Sequence, residues 1–99
     1  MDISEKLTSL PHKPGVYMMK DARGRVIYVG KAQSVRDRVR SYFGSTAELH
    51  PRSMLLLSEV HDFEYIVTEN PVEALILEAN LIKLHLPRYN VKLKDDKKY

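Results

Sequence analysis

Hydrophobic and polar residues follow two different periods along the 99-residue chain, and the two periods predict a mixture of strands and helices. Residues 16–19 and 26–29 are rich in β-forming side chains. Residues 21–24 lie between them and supply an Asp and a Gly at positions that favour a turn. These segments predict a β-hairpin. Residues 63–68 alternate apolar and polar side chains and predict a third strand.

The length of the turn sets the expected register of the hairpin. If the loop has four residues, Lys20 faces Arg25, and Tyr17 faces Tyr28 three pairs further back. Directly opposed residues share one face of a sheet, so this register predicts two phenols side by side. A bulge at Gly24 would shift the register by one residue, and the alternation within the strands does not decide between the two alternatives.

Two helices are predicted between the hairpin and the third strand. The first begins after Ser34, a favourable N-cap residue, and extends to about Tyr42 with Val35 and Val39 on its inward face. The second begins at Pro51, because proline is well tolerated in the first helical turn. The core contacts expected from this second helix are Met54, Leu55, Leu57 and Val60.

A further helix is predicted from Pro71 to about Leu86, with Asn70 as its N-cap. Apolar residues cover most of its circumference, which predicts a helix at the centre of the fold. Glu78 interrupts this apolar pattern, although glutamate is rarely buried without a partner. A single glutamate in a helix is ordinarily a partly exposed member of an ion pair, but Lys83 is not at a helical pairing distance from it.

Composition narrows the class of protein. Hydrophobic residues make up 43% of the chain and charged residues 29%, which is typical of one globular domain. The absence of cysteine excludes disulfides, thiolate zinc sites and a cysteine nucleophile. No apolar run reaches the length of a membrane span and no signal peptide is visible, so we expect a cytoplasmic protein without membrane contact. Because segment 91–99 is polar and adds no closing element, we expect the single domain, residues 1–99, to be a fragment of a longer chain.

Charge is distributed unevenly. The chain as a whole carries +3, but residues 13–42 contain eight basic and two acidic residues, a net charge of +6. A concentration of this kind favours a binding face for a polyanion, although a solvated basic surface without a partner has the same composition.

Two tripeptides ten residues apart carry the most specific signal, Gly15-Val16-Tyr17 and Tyr28-Val29-Gly30. They resemble the paired motif of the GIY-YIG nuclease family, with Val in place of Ile in both halves. The resemblance covers nearly the whole chain. Its further positions are Arg38 and Tyr42 on the first predicted helix, Glu78 within residues 77–83, and Asn90 within residues 87–90.

The resemblance implies a fold and an activity. The fold is a small three-stranded antiparallel sheet flanked by helices (α+β), in agreement with the pattern of the residues. The activity is metal-dependent endonuclease cleavage of DNA. The likeness is strongest to the excision-repair branch of the family, which implies damaged double-stranded DNA, a cut in one strand 3′ to the lesion, and a longer chain loaded by a UvrB-type repair protein.

The same resemblance suggests residue roles that elementary chemistry supports. Glu78 would hold one divalent metal ion, Mg²⁺ or Mn²⁺, because a single carboxylate suits a hard cation that keeps most of its waters. Arg38 would bind the scissile phosphate through its planar donors. Tyr28 is the preferred activator of the attacking water, with Lys31 or the metal favouring its phenolate.

Three further residues have supporting roles in this hypothesis. Tyr17 would orient the water or the phosphate, and Tyr42 and Asn90 would position the other groups. The residues do not decide which tyrosine takes the proton.

Two alternatives remain open from the sequence. The chain could be a GIY-YIG nuclease of another subgroup, such as a homing or junction-cutting enzyme. It could also be a non-catalytic nucleic-acid-binding module that uses its basic face alone. The combination of Glu78 with Tyr28 speaks against the second alternative, because phosphate binding does not require a semi-buried acid.

Overall fold

The computed structural model describes residues 3–44 and 51–90 as an antiparallel three-stranded sheet with helices on both faces. The strand order is β2-β1-β3. This confirms the predicted fold class. The elements in chain order are α1 Ile3–Thr8, β1 Gly15–Lys20, β2 Val26–Ala32, α2 Val35–Gly44, α3 Pro51–Glu59, β3 Asp62–Val67 and α4 Pro71–His85.

The central strand β1 divides the core in two, because successive side chains of a strand point to opposite faces. Tyr17 and Met19 lie on the face covered by α2 and α3. Val16 and Met18 lie on the opposite face, where Ala74 of α4 packs against them. Each face therefore has its own helical layer.

The two strands of the hairpin pair in a register that differs from the predicted one. Tyr17 pairs with Gly30, and Met19 pairs with Tyr28. The next pair skips Ile27, which is an extra residue in β2 and forms a bulge. The prediction that Tyr17 faces Tyr28 is therefore wrong by two residues. The bulge lies inside the strand, where the sequence pattern carries no signal for it.

The turn explains the rest of this difference. Lys20 pairs with Val26, so the prediction that it faces Arg25 is also wrong. The loop has five residues instead of four, and it is closed by a hydrogen bond of 3.0 Å from the Asp21 amide to the Arg25 carbonyl. Gly24 has a φ of 82°, the left-handed conformation that its place in the turn predicts.

Helix α2 begins and packs as predicted. The hydroxyl of Ser34 accepts a hydrogen bond of 3.3 Å from the amide of Asp37, as an N-cap residue does. Val35, Val39 and Tyr42 are all buried against the sheet. The helix continues to Gly44, two residues past the expected end.

Helix α3 contributes a different leucine to the core from the one expected. Leu56 is buried with 1% exposure, whereas Leu55 is 54% exposed, so the prediction for Leu55 is wrong. Leu57 and Val60 pack against the core as predicted. Three consecutive leucines match any helical phase equally well, which explains the error. The side chain of residue 54 lies outside the described part of the structure.

Helix α4 starts as predicted but is not central in this chain. The side chain of Asn70 accepts a hydrogen bond of 2.9 Å from the amide of Glu73, which confirms the N-cap. The inward face of α4 packs on β1 and β2, and its outer face is open, with Val72, Leu75 and Ile76 more than half exposed. No helix in the described ranges is long and apolar enough to cross a membrane.

Candidate active site

Three phenols meet beside β1 and β2. The ring centroids of Tyr17 and Tyr28 are 6.1 Å apart, and those of Tyr17 and Tyr42 are 5.9 Å apart. The hydroxyl oxygens of Tyr17 and Tyr42 lie 3.2 Å from each other and share a hydrogen bond. Tyr17 and Tyr42 are buried, whereas Tyr28 is half-buried. Tyr17 and Tyr28 are thus neighbours despite the shifted register, because their side chains meet diagonally across the two strands.

Gly30 makes room for this cluster. A Cβ atom at position 30 would lie 2.4 Å from both Cζ and the hydroxyl oxygen of Tyr17. Gly15 meets a similar limit, because a Cβ there would lie 2.3 Å from the carbonyl oxygen of Ile66. Both motif glycines are therefore required by close packing, and neither has the positive φ that marks a glycine needed for the backbone.

Arg38 covers the phenol cluster from α2. Its Nε donates a hydrogen bond of 3.4 Å to the Tyr17 hydroxyl, and its guanidinium carbon lies 5.5 Å from the centre of the Tyr42 ring. The side chain is exposed, so the guanidinium can contact a ligand on its outer side. Lys31 is exposed near the end of β2.

Burial keeps the phenols of Tyr17 and Tyr28 protonated. It raises the pKa of Tyr17 well above the usual value for tyrosine, and the neighbouring phenols of Tyr42 and Tyr28 raise it further. Burial also raises the pKa of Tyr28, with a smaller contribution from the charge of Glu78. The positive charge of Arg38 lowers the pKa of Tyr28 and so offsets part of this increase. Arg38 is therefore a cation close enough to favour the phenolate, in addition to Lys31 or the metal, which the sequence suggests for that role.

Glu78 is half-buried on α4, as its position on the helix predicts. It forms no hydrogen bond or ion pair with any residue in the ranges 3–44 and 51–90. Its charge is nevertheless close enough to Tyr28 to raise the pKa of that phenol. The ordinary explanation of a helical glutamate, a structural ion pair, thus does not apply within the described structure.

This arrangement fits a hard divalent cation. A carboxylate without a protein partner can bind Mg²⁺ while water completes the coordination sphere. In the described ranges no group of three or more His, Asp or Glu residues could form a closed metal site. The donor set therefore fits a metal held by Glu78 and largely hydrated.

Asn90 acts on the strand instead of on the phenols. Its side-chain oxygen accepts a hydrogen bond of 2.7 Å from the Val29 amide, and its side-chain nitrogen donates one of 2.8 Å to the Val29 carbonyl. Val29 is the residue between Tyr28 and Gly30. Asn90 thereby holds the second half of the motif in place from the outer edge of β2.

Sequence reasoning missed the residues that anchor Asn90. Tyr89 is buried in the core, and its hydroxyl donates a hydrogen bond to the carboxylate of Glu59 at the end of α3. Arg88 forms an ion pair with the same carboxylate. A glutamate at the end of a helix carries no distinctive pattern, so only the tertiary structure identifies this support.

The sheet, its layered helices and the phenol–arginine cluster beside a half-buried glutamate define a domain of the GIY-YIG class. Residues 13–91 match the family model described as the UvrC-like GIY-YIG domain. The chain belongs to that family.

Sequence similarity to related proteins extends along the whole chain. UvrABC system protein C of Moorella thermoacetica is 64% identical over 99 residues, which cover 100% of this chain and 16% of that protein. UvrABC system protein C of Caldanaerobacter subterraneus is 59% identical over the same span, with the same coverage of 16%. The chain thus spans 16% of the length of these relatives.

A solved structure matches in fold and sequence. It is the GIY-YIG N-terminal endonuclease domain of UvrC from Thermotoga maritima, described as bound to its catalytic divalent cation, magnesium. The TM-score is 0.75 at 41% identity, over 90% of this chain and 98% of that one. A point mutant of the same domain that replaces an asparagine by alanine, also bound to its catalytic cation, matches with the same TM-score.

Proposed function

We propose that this chain is a metal-dependent DNA endonuclease domain that hydrolyses one phosphodiester bond, the 3′ incision of nucleotide excision repair. The observation that carries the proposal is the meeting of three phenols, one exposed guanidinium and one half-buried carboxylate at the β2 side of the sheet. Membership of the family and the likeness to a magnesium-bound UvrC endonuclease domain support the same reaction.

Arg38 is the residue that would bind the scissile phosphate. Its Nε is directed to the Tyr17 hydroxyl, which fixes the plane of the guanidinium. The exposed terminal amino groups can then donate a pair of parallel hydrogen bonds to phosphate oxygens. Tyr17 is almost fully buried, so its role is to orient Arg38 and, through it, the phosphate.

Tyr28 is the residue that would take the proton of the attacking water. The water oxygen bonds to phosphorus and its proton passes to the Tyr28 phenolate. The bond to the 3′-oxygen breaks, and that oxygen leaves with the electron pair and takes up a proton from solvent water. Because burial raises the pKa of Tyr28, the phenolate is a small fraction at neutral pH. The reaction therefore requires positive charge near this phenol, and Arg38 supplies part of it.

Glu78 would hold Mg²⁺ or Mn²⁺ at the same site. When bound, such a cation supplies positive charge that favours the phenolate and stabilises the charge that develops on the phosphate and the departing oxygen. Tyr42 and Asn90 position the other groups, the first through the Tyr17 hydroxyl and the second through the β2 backbone. Lys31 is close to the end of β2 and would add charge for a DNA phosphate.

Damaged double-stranded DNA is the proposed substrate. The net charge of +6 in residues 13–42 supports a polyanionic partner. We place the domain, residues 1–99, in a longer cytoplasmic protein that a UvrB-type repair protein brings to the lesion.

The test uses the full-length protein that carries this domain, together with a UvrB-type partner and a duplex with one lesion and an end label. We expect a single nick on the 3′ side of the lesion when Mg²⁺ or Mn²⁺ is present and none without a divalent cation. A nick that persists after removal of divalent ions would contradict the proposed metal dependence. Cutting of both strands, or of undamaged duplex at the same rate, would favour a different subgroup of the family.

A further inference from the structure

A groove next to the phenol cluster has a composition that the proposed chemistry does not account for. It lies between α2 and the first half of α4 and has a volume of about 790 Å³. Arg38, which belongs to both the cluster and the groove, stands where they adjoin. The groove therefore opens directly beside the place where the scissile phosphate would bind.

The two walls of the groove differ chemically. Lys31 and Arg38 provide positive charge on the side of β2 and α2, and they outnumber the one carboxylate in the lining, that of Asp37. Val72 and Leu75 form an apolar wall on the side of α4, although they are 64% and 51% exposed. Leu75 lies three residues before Glu78, so the apolar wall is nearly one helical turn from the carboxylate.

An apolar wall beside a phosphate site selects for a particular DNA conformation. The outside of an intact duplex presents phosphates and sugars, and its bases are stacked upon one another. An unstacked base instead exposes an apolar face, and aliphatic side chains such as leucine contact base steps that have been opened in this way. Contact of a base with an apolar side chain also removes that side chain from water.

We propose that this groove binds the nucleotide adjoining the scissile phosphate in an unstacked state, with its base against Val72 and Leu75. This inference rests on the proposed nuclease function and adds a local distortion of the DNA to it. The positive charge of Lys31 and Arg38 holds the backbone on either side of the base. Recognition of this kind does not read base edges, so it accepts any sequence.

The experiment places 2-aminopurine, whose fluorescence rises when it unstacks, on either side of the mapped cleavage position. Divalent cations are withheld so that the DNA stays intact, and the full-length protein is assembled with its partner and the damaged duplex. Leu75→Gln is the test variant. Ile76→Gln is the matched control, because Ile76 is the next residue, is 57% exposed and does not line the groove. Neither variant should affect folding, since both side chains are already more than half exposed.

We expect the fluorescence to rise at one of the two positions with the parent protein and with Ile76→Gln. With Leu75→Gln, we expect the rise to be smaller and DNA binding to be about fivefold weaker, the low end of what one stacked base contributes. The inference is overturned if the parent protein nicks DNA in the presence of metal but leaves both positions quenched. Equal behaviour of the two variants would overturn it as well. Absence of any nick with the parent protein counts against the nuclease proposal itself, and the groove inference would fall with it.

Discussion

Replacing Asn90 by alanine removes the two hydrogen bonds that hold the outer edge of β2. The bonds measure 2.7 and 2.8 Å, and both end on Val29, whose side chain is fully buried. A hydrogen bond within a protein contributes about 1 kcal/mol net, and an unpaired backbone group costs more where water cannot reach it. The loss of both bonds should therefore lower the free energy of unfolding by about 2–3 kcal/mol.

Thermal melting of the 99-residue chain measures this loss. For a domain of this size, about 2 kcal/mol corresponds to a fall in Tm of roughly 8–16 °C. Asn80→Ala is the matched control, because Asn80 is exposed on α4 and the same substitution there should change the free energy of unfolding by less than about 0.5 kcal/mol. A melting temperature for Asn90→Ala within about 2 °C of the parent would refute the assigned support of β2.

The same variant separates stability from catalysis. At a temperature well below its Tm, Asn90→Ala in the full-length protein should cleave at least about tenfold more slowly, because residues that support a catalytic group typically contribute that much. Tyr28 directly precedes the residue that loses its support, so its hydroxyl should be less well placed. A normal cleavage rate in a destabilised variant would limit Asn90 to holding the sheet together.

Three other predictions concern the cluster itself. Glu78→Gln should abolish cleavage and any stabilisation of the domain by Mn²⁺ while leaving the Tm within about 2 °C, since Glu78 forms no ion pair with any residue in the ranges 3–44 and 51–90. Glu73→Gln, a change in the first turn of the same helix where Gln can accept the same hydrogen bond from the Glu69 amide, should leave cleavage unchanged. Near-normal cleavage by Glu78→Gln would remove this carboxylate from the metal site. Single-turnover cleavage should rise about tenfold per pH unit from pH 6 to 10, because the raised pKa of Tyr28 keeps the phenolate scarce throughout that range, and Tyr28→Phe should lose nearly all activity. A plateau near pH 6.5 would point to another base. Gly30→Ala should displace the Tyr17 ring and lower both Tm and cleavage in melting and rate assays, and an unchanged Tm would mean that the ring can move aside at little cost.

The sequence predicts the elements of this fold better than their contacts. Turn residues, N-caps and periodicity locate the hairpin, β3 and the starts of α2 and α4, because these signals act within a few residues. The bulge at Ile27 has no such local signal, and together with the five-residue loop it shifts Tyr17 from Tyr28 to Gly30. The pairing of strands depends on how the side chains of both strands fit their neighbours, which a single segment does not contain.

The apolar pattern of α4 misleads for a related reason. A helix that is apolar on most sides predicts burial on most sides, but the described structure covers only the face that meets β1 and β2. The candidate site shows the same difference between what the local sequence predicts and what only tertiary contacts reveal. Residue types and spacing point to Tyr17, Tyr28 and Glu78, whereas the contact of Arg38 with Tyr17 and the grip of Asn90 on β2 emerge only when distant parts of the chain meet.

The two hydrogen bonds between the Asn90 side chain and the Val29 backbone have a consequence for self-association. β2 is an edge strand. The amide and carbonyl of Val29 point away from β1, since both form hydrogen bonds with the side chain of Asn90. Unpaired groups along such an edge are a template on which a second chain can add a strand, the first step toward aggregates. The amide of Asn90 occupies this position without extending the sheet, since a side chain offers no further backbone to pair. The protection of this position on the sheet edge and the placement of the motif thus depend on the same side chain.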